Sequence, residues 1–222
     1  MDFKRVTLIC GHYGSGKTNI AVNMAYELKK QITNTAIADL DIVNPYFRTL
    51  DSKEDFEKRG IKLICSAFAN TNVDAPALPQ EMYSIIDDKS QSVIVDVGGD
   101  DRGALALGRL SGALQAEGNY DMYMVINCYR PLTRTVDDLL AIKDEIEQAG
   151  RIKFTGIINN SNLGRDTQPE DVIRSLSYAA EAADRMKLDV VATSYDERLD
   201  EALKNKVPYP FAMELQKLIP GI

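Results

Sequence analysis

The sequence is poor in the residues that build metal centres and covalent catalytic sites. Its single histidine is His12, and its three cysteines, Cys10, Cys65 and Cys128, form no C-x-x-C pair. A zinc site or a cysteine–histidine nucleophile needs more of these side chains than the chain contains. The cysteine spacing gives no support to a bridging metal or cluster either. We therefore expect three buried, reduced thiols.

An excess of positive charge and long apolar runs are also missing. The 222 residues carry a formal net charge of -7 at pH 7, which argues against broad electrostatic binding to nucleic acid or to an anionic membrane. No apolar run is long enough to cross a bilayer, no secretory signal precedes the first apolar run, and residues 214–222 lack a basic amphipathic face. We expect a cytoplasmic protein without nucleic-acid or membrane partners.

The chain does contain a phosphate-binding motif near its start. Residues 11–18 read G-H-Y-G-S-G-K-T, which fits the P-loop pattern G-x-x-x-x-G-K-[ST]. A short apolar run at residues 6–10 predicts a strand before the motif, and apolar residues at helical spacing predict a helix behind it. Between such elements, backbone N–H groups and the helix N-terminus face a bound anion.

The motif predicts a role for each of its residues. Lys17 is expected to reach the β and γ phosphates, and the Thr18 hydroxyl to bind Mg²⁺. The predicted nucleotide contacts in this segment are Gly11, His12, Tyr13, Gly14, Ser15, Gly16, Lys17, Thr18 and Asn19. The alternative is a chance glycine-rich turn, and the strand and helix predicted on either side argue against it.

Short apolar runs alternate with helical patterns along the rest of the chain. Further strands are predicted at residues 35–40, 61–65, 92–97, 122–127, 154–159 and 190–192. Helices are predicted at residues 80–86, 104–117, 133–148, 170–186, 196–205 and 213–218. This alternation predicts an α/β fold with a mostly parallel sheet of about seven strands and helices on both faces. We expect residues 1–222 to form one domain.

Acidic residues follow two of the predicted strands, where ligands of such folds bind. Asp39 and Asp41 end the second strand, and Asp96 ends the fourth, three residues before Gly99. We predict that Asp41 and Asp96 contact Mg²⁺ or orient the attacking water, with Asp39 as a further candidate. In the D-x-x-G sequence, the N–H of Gly99 can approach the γ phosphate, and the segment can relax after hydrolysis. Each carboxylate could instead be a solvated turn residue or a helix cap.

These motifs resemble the CobQ/CobB/MinD/ParA family of P-loop ATPases, and within it the MinD/ParA group. The resemblance rests on the P-loop, D-L-D at 39–41, D-V-G-G at 96–99 and a later asparagine pair, and it extends to residues 194–196. It implies the three-layer P-loop NTPase fold, Mg·ATP binding and nucleotide-dependent dimerisation. Residues 41–48 are similar to a subgroup of small bacterial ATP-binding proteins, some of which are named after cobyrinic acid a,c-diamide synthase.

The sequence departs from that family at one position. Members commonly carry K-G-G-x-G-K-[ST], whose first lysine reaches the partner's nucleotide site, but this chain has His12 there. Imidazole can donate a hydrogen bond to phosphate, and an arginine can supply positive charge as an arginine finger does. The candidate replacements are His12, Arg48 and Arg102, because the two arginines lie in the loops after Asp41 and Asp96. The alternative for each arginine, an ordinary surface residue, is favoured.

An asparagine-rich segment follows the predicted strand at 154–159. In the family an asparagine after this strand faces the base, and Asn160 is the better match, with Asn159 as the alternative. Its amide offers a donor and an acceptor, which suit adenine; a turn-capping role is the structural alternative. Residues 193–197 resemble the loop that closes over the base. No T/N-K-x-D element that selects guanine is present, so we predict ATP rather than GTP.

The combined signals predict a Mg²⁺-dependent ATP-binding protein that hydrolyses ATP slowly, as a nucleotide-dependent switch on a protein partner or as an ATP-dependent homodimer. The alternative is an enzyme that uses ATP on a small molecule: a kinase, or a ligase or amidase similar to cobyrinic acid a,c-diamide synthase. The loops at 44–48 and 69–79 could line its acceptor pocket. A self-contained glutamine-dependent synthase is disfavoured, because the only histidine lies in the P-loop.

Overall fold

A computed structural model describes residues 1–40, 52–65, 80–99 and 101–216, without the side chains of residues 101 and 102. The strands in this part of the chain are Val6–Cys10 (β1), Thr35–Leu40 (β2), Lys62–Cys65 (β3), Ser92–Val97 (β4), Tyr120–Ile126 (β5), Gly156–Asn159 (β6), Val190–Asp196 (β7) and Pro210–Met213 (β8). The α-helices are Lys17–Gln31 (α1), Lys53–Arg59 (α2), Ser84–Asp87 (α3), Asp101–Glu117 (α4), Val136–Gly150 (α5), Pro169–Arg174 (α6), Leu176–Met186 (α7) and Asp200–Leu203 (α8).

The strands form a single sheet in the order β3-β2-β4-β1-β5-β6-β7-β8, and each neighbouring pair is parallel. Side chains that alternate along the buried strands pack into two cores, one on each face of the sheet. In β1, Leu8 and Cys10 join the core under α4, α5 and α7, whereas Ile9 joins the core under α1 and α2. Helices therefore cover both faces, which confirms the predicted three-layer α/β fold.

The sheet has one strand more than the sequence pattern predicted. The prediction of a terminal helix at 213–218 is wrong for its described part: Met213 ends β8, and residues 214–216 are not helical. β8 pairs in parallel with β7, and Met213 packs into the core beneath α1. Pairing and packing with distant segments therefore override the local helical spacing. Residues 217–222 lie outside the described part.

The observed helices also differ from the prediction at two places. The helix predicted at 170–186 is divided at Ser175, whose hydroxyl donates to the carbonyl of Val172 at 2.7 Å and accepts from the amide of Asn159 at 2.9 Å. A serine side chain that bonds to backbone in this way competes with helix continuation. Helix α2 was not predicted, because its sequence K-E-D-F-E-K-R contains one buried apolar residue, Phe56. Within the described residues, no helix is both long and apolar enough to span a membrane.

The order of the strands places a crevice beside β1. The connection after β1 runs through α1 to β2 on one side, and the connection after β4 runs through α4 to β5 on the other. At such a reversal of strand order, the two connections lie on opposite faces of the sheet and leave an opening beyond the strand ends. Residues 11–16 leave β1 at this opening.

Candidate functional site

The loop between β1 and α1 has a backbone that requires glycine at two positions. Gly11 and Gly16 have φ angles of 147° and 91°, which side-chain-bearing residues rarely adopt. A Cβ on Gly11 would lie 2.6 Å from the carbonyl oxygen of Val125, and one on Gly16 would lie 2.2 Å from Nδ2 of Asn160. The loop is thus packed directly against the end of β5 and against the segment that follows β6.

Helix α1 begins at Lys17, immediately after this loop. Among the described residues, no side chain caps its N-terminus, and its backbone ladder starts with the bond from the Ile20 N–H to the Gly16 carbonyl at 3.2 Å. The N–H groups of the first turn therefore remain for a ligand, and the helix dipole favours an anion at this position. The structure gives the motif the strand–loop–helix setting that phosphate binding needs.

Lys17 and Gly99 meet at the floor of this site. The Lys17 side chain is 5% exposed, and its Nζ lies 3.4 Å from the carbonyl oxygen of His12. A Cβ on Gly99 would lie 2.7 Å from that Nζ and 2.8 Å from the backbone nitrogen of Tyr13. The segment after β4 therefore rests on the P-loop itself. The role of Gly99 toward a γ phosphate stays a prediction.

The predicted metal contacts are partly described. Asp96 is fully buried at the end of β4, in register with Ile9 of β1 and Asp39 of β2. Asp39 and Thr18 are each 7% exposed. Asp41 lies outside the described residues, so its predicted part in metal binding and water activation stays a prediction.

This donor set fits Mg²⁺. The described residues contain no cluster of three His, Cys, Asp or Glu side chains able to hold a metal alone. Mg²⁺ in nucleotide sites needs only one or two protein oxygens, because phosphate and water oxygens complete its octahedron. The Thr18 hydroxyl and the carboxylates of Asp39 and Asp96 are oxygen ligands of the required hard type.

The thiols differ from the expectation that all three are buried. Cys10 is buried, whereas Cys65 and Cys128 are half-buried, and all three are free. Burial raises the pKa of the Cys10 thiol beneath the P-loop, against a smaller opposing effect of Lys17. Cys10 therefore stays protonated and acts as an apolar packing residue.

Asn160 holds the P-loop in place. Its Nδ2 donates to the Ser15 carbonyl at 2.7 Å, and its Oδ1 accepts from Ser194 Oγ at 2.7 Å and from Asn162 Nδ2 at 3.1 Å. The amide that was predicted to contact adenine is thus engaged with protein groups, and the adenine contact stays a prediction. The alternative, Asn159, is fully buried and bonds to Ser175.

His12 stands where MinD/ParA proteins commonly carry a lysine, and its ring contacts its own loop. The half-buried His12 ring has its Nδ1 3.0 Å from the Tyr13 carbonyl oxygen, and Tyr13 itself is 57% exposed. Arg48 lies outside the described residues, as does the side chain of Arg102. The predicted roles of Arg48 and Arg102 therefore stay predictions.

A cavity of about 420 Å³ opens beside the P-loop, a volume typical of small-ligand sites. Its other walls come from three segments that sequence analysis did not assign: Arg130 after β5, Gly164 and Arg165 after β6, and Leu215 with Gln216 after β8. Arg130 and Arg165 follow strands, so their positions in the sequence could have marked them as candidate ligand contacts. Nothing in the sequence pattern points to Leu215 or Gln216.

The last of these segments is attached to α1. Asn19, predicted as a phosphate contact, lines the cavity but accepts a 3.1 Å hydrogen bond from the Gln216 N–H through its Oδ1. One turn later, Asn23 bonds to both the N–H and the carbonyl of Glu214, at 3.0 and 2.9 Å. The Gln216 side chain in turn donates to Ser52 Oγ at 2.9 Å. The wall of the cavity is therefore joined to the first described residue after the 41–51 segment.

No family model matches the sequence, and no curated protein matches it. Solved structures of similar fold include the cell division protein FtsY of Thermotoga maritima, with 14% identity and a TM-score of 0.58 over 89% of this chain and 63% of that one. FtsY of Mycoplasma mycoides has 15% identity and a TM-score of 0.56, over 86% and 60%. The signal recognition particle 54 kDa protein of Aeropyrum pernix K1, in complex with GDP, has 15% identity and a TM-score of 0.54, over 85% and 41%.

At these identities the likeness shows the fold alone, and the fold is that of the P-loop NTPases. The chain spans less than two thirds of each of these proteins. The comparisons give no support to the narrower resemblance to the MinD/ParA group.

Proposed function

We propose that this chain, a P-loop NTPase by fold, binds Mg·ATP, hydrolyses it slowly and switches a protein partner between two states. The observation that carries the proposal is the meeting of Lys17 and Gly99, with 2.7 Å between Nζ and a Cβ placed on the glycine. A buried amine, an uncapped helix N-terminus and the backbone of a second strand end converge at one point. That combination suits the terminal phosphates of a nucleotide.

The chemistry assigned to the site is positioning and electrostatics. When bound, Mg²⁺ offsets negative charge on the phosphate oxygens. Lys17 supplies positive charge, and the loop N–H groups bind the oxygens that gain charge in the transition state. Thr18 and Asp96 would hold the metal, and Asp41 would orient the attacking water.

The proposed switch runs from Gly99 into α4. A Cβ on Gly103, in the first turn of α4, would lie 2.5 Å from the Gly98 carbonyl oxygen. Because the two backbones approach this closely, we expect a shift of the 98–99 turn on nucleotide binding to move the start of α4. Leu105 follows in the same helix with 60% of its surface exposed. This coupling supports a change of surface that a partner can sense.

Four exposed apolar residues are candidates for contact with a protein partner. Tyr13, Leu105, Leu132 and Leu163 are 57%, 60%, 63% and 47% exposed, and each lies in a segment that follows a strand end on the nucleotide side. We propose that these exposed apolar side chains contribute to a surface that contacts a protein partner. A second copy of this chain is the partner that the resemblance to the MinD/ParA group suggests.

Adenine is proposed as the base because N-N-S-N at 159–162 stands where a guanine-selecting T/N-K-x-D element would be. GDP in the Aeropyrum structure makes GTP the competing nucleotide to test. Isothermal titration should give tighter binding of Mg·ATP than of Mg·GTP, and Lys17→Ala should weaken triphosphate binding by about a hundredfold. Folded wild-type protein that binds neither nucleotide would contradict the proposal, and preference for GTP would reassign the base.

Light scattering tests the switch. The chain has a mass of 24.6 kDa, so a homodimer formed with a slowly hydrolysed ATP analogue should double that value, and Lys17→Ala should remain monomeric. An unchanged mass with bound analogue would exclude the homodimer and leave a different protein, or a small-molecule phosphoryl acceptor, as the object of the search.

A further inference from the structure

Arg130 reaches over the P-loop from another segment of the same chain. A Cβ placed on Gly14, at the tip of the loop, would lie 3.9 Å from both Cδ and Nε of Arg130. Both residues line the cavity beside the loop. The Arg130 side chain is exposed, and within the described residues it makes no ion pair or side-chain hydrogen bond. A guanidinium therefore lies at the rim of the phosphate site, and no acidic side chain in the described part of the chain pairs with it.

The backbone beneath this side chain is fixed by buried polar groups. The Arg130 N–H donates to the Asn127 carbonyl at 3.2 Å, which also accepts from Thr133 Oγ1 at 2.7 Å. The Thr133 N–H donates in turn to the Arg130 carbonyl at 3.2 Å. Asn127 and Thr133 are each 1% exposed. A rigid base of this kind reduces the entropy that an arginine loses when it binds a ligand.

The charges around the cavity favour an anion there. Lys17 lies on the floor, and Arg165 lines the same cavity and is exposed. The chain as a whole is acidic, with a net charge of -7, yet three cationic side chains line this one cavity. A guanidinium presents paired N–H donors that match two oxygens of a phosphate.

We propose that Arg130 binds the phosphate chain of the nucleotide held in its own chain. Its guanidinium, which lies beside Gly14, would add positive charge to a loop that carries His12 where MinD/ParA proteins commonly carry a lysine. The inference rests on the proposed function, since it needs a nucleotide in the cavity. It differs from the replacements expected from the sequence, because Arg130 follows β5 rather than β2 or β4.

Binding measurements with three ligands distinguish a contact to phosphate from a contact to the base. Binding of ATP, inorganic tripolyphosphate and adenosine is compared for wild-type protein, Arg130→Gln, Arg130→Lys and Arg134→Gln. Arg134 is an exposed arginine in the same connection and does not line the cavity, so it controls for loss of surface charge. Thermal melting shows that each variant is folded.

Arg130→Gln is expected to bind ATP and tripolyphosphate about tenfold to a hundredfold more weakly, with adenosine binding unchanged. Arg130→Lys should recover part of this loss, because lysine restores the positive charge but not the paired N–H donors of a guanidinium. Arg134→Gln should match wild type.

Equal binding of ATP by wild type and Arg130→Gln would overturn the inference while leaving the proposed function intact. A loss confined to ATP and adenosine would overturn it too, by placing Arg130 on the base. If wild type binds neither ATP nor tripolyphosphate, the proposed function itself fails.

Discussion

The side-chain amide of Asn160 donates a 2.7 Å hydrogen bond to the carbonyl oxygen of Ser15, and both residues are almost fully buried, at 2% and 1% exposure. The bond joins the P-loop to a residue 145 positions later in the chain. A carbonyl bonded to Asn160 points toward the loop after β6, which leaves neighbouring N–H groups of the P-loop free to face the crevice. The shape of the phosphate site therefore depends on the end of β6 as well as on its own glycines.

Removal of this bond should weaken the whole nucleotide site. Asn160→Ala leaves the buried Ser15 carbonyl without its partner, which should lower the free energy of unfolding by about 1–3 kcal/mol. Binding of ATP and binding of GTP should weaken equally, so that the ratio of the two affinities is unchanged. Urea denaturation and calorimetric titration measure the two effects. Ser194→Ala removes a hydroxyl that donates to the Asn160 side-chain oxygen at 2.7 Å and to the Asn159 carbonyl at 3.3 Å, but it leaves the bond from Asn160 to Ser15 in place and should cost less. A change in the ratio of ATP to GTP affinity would instead assign Asn160 to the base.

A methyl group on Gly16 should disable the loop. It would meet Asn160 Nδ2 at 2.2 Å on a backbone with φ of 91°, so Gly16→Ala should destabilise the protein by about 1–3 kcal/mol and abolish measurable nucleotide binding. Gly112→Ala is the matched control, since Gly112 is exposed in α4 and nothing lies within 4 Å of its added methyl. That change should stabilise the protein by about 0.5–1 kcal/mol. Normal binding by Gly16→Ala would show that the loop adapts.

Stability at acid pH should depend on the ion pair between Arg5 and Glu117. A hydrogen bond from the Arg5 guanidinium, with Nη2 at 2.6 Å from Oε2, lowers the pKa of Glu117 from 4.5 to about 2. Because the folded-state pKa lies below that of the unfolded chain, the stabilisation is complete above pH 4.5 and is lost as the pH falls toward 2. It amounts to about 2–3 kcal/mol.

Glu117→Gln removes this charge while keeping the shape of the side chain. The difference in unfolding free energy between wild type and variant should be largest near pH 6 and should shrink between pH 4.5 and 2, as urea titrations at several pH values would show. Other carboxylates titrate in both proteins and cancel in the comparison. A difference that stays constant over this range would mean that Glu117 has an ordinary pKa.

The sequence predicted those features whose cause is local. The glycines of residues 11–16, the buried run of β1 and the apolar spacing of α1 lie within one short segment, so their pattern carries the conformation. β8 and the cavity wall at Leu215 and Gln216 depend on pairing with β7 and on bonds to α1, which no local pattern records. Arg130 was missed for the same reason, because its position over Gly14 arises only when β1 and β5 pair.

The C-terminal wall of the cavity should loosen when its attachment to α1 is removed. Asn23 is 7% exposed, and its amide bonds to both the N–H and the carbonyl of Glu214. Asn23→Ala breaks both bonds, so amide exchange at Glu214 and Gln216 should accelerate by about tenfold or more. Hydrogen–deuterium exchange with mass spectrometry measures this directly. Nucleotide affinity should fall as well, because Leu215 and Gln216 line the cavity.

Asn34→Ala serves as the matched control for that variant. The Asn34 side chain also donates two hydrogen bonds, to the carbonyl and hydroxyl of Ser90, and accepts one from Gln91, but it is exposed and lies just before β2. Exchange near residues 214–216 should be unchanged in this variant. If Asn23→Ala accelerates exchange there but leaves ATP affinity intact, the segment closes the cavity without contacting the nucleotide. Unaltered exchange would mean that β8 pairing alone holds the wall in place.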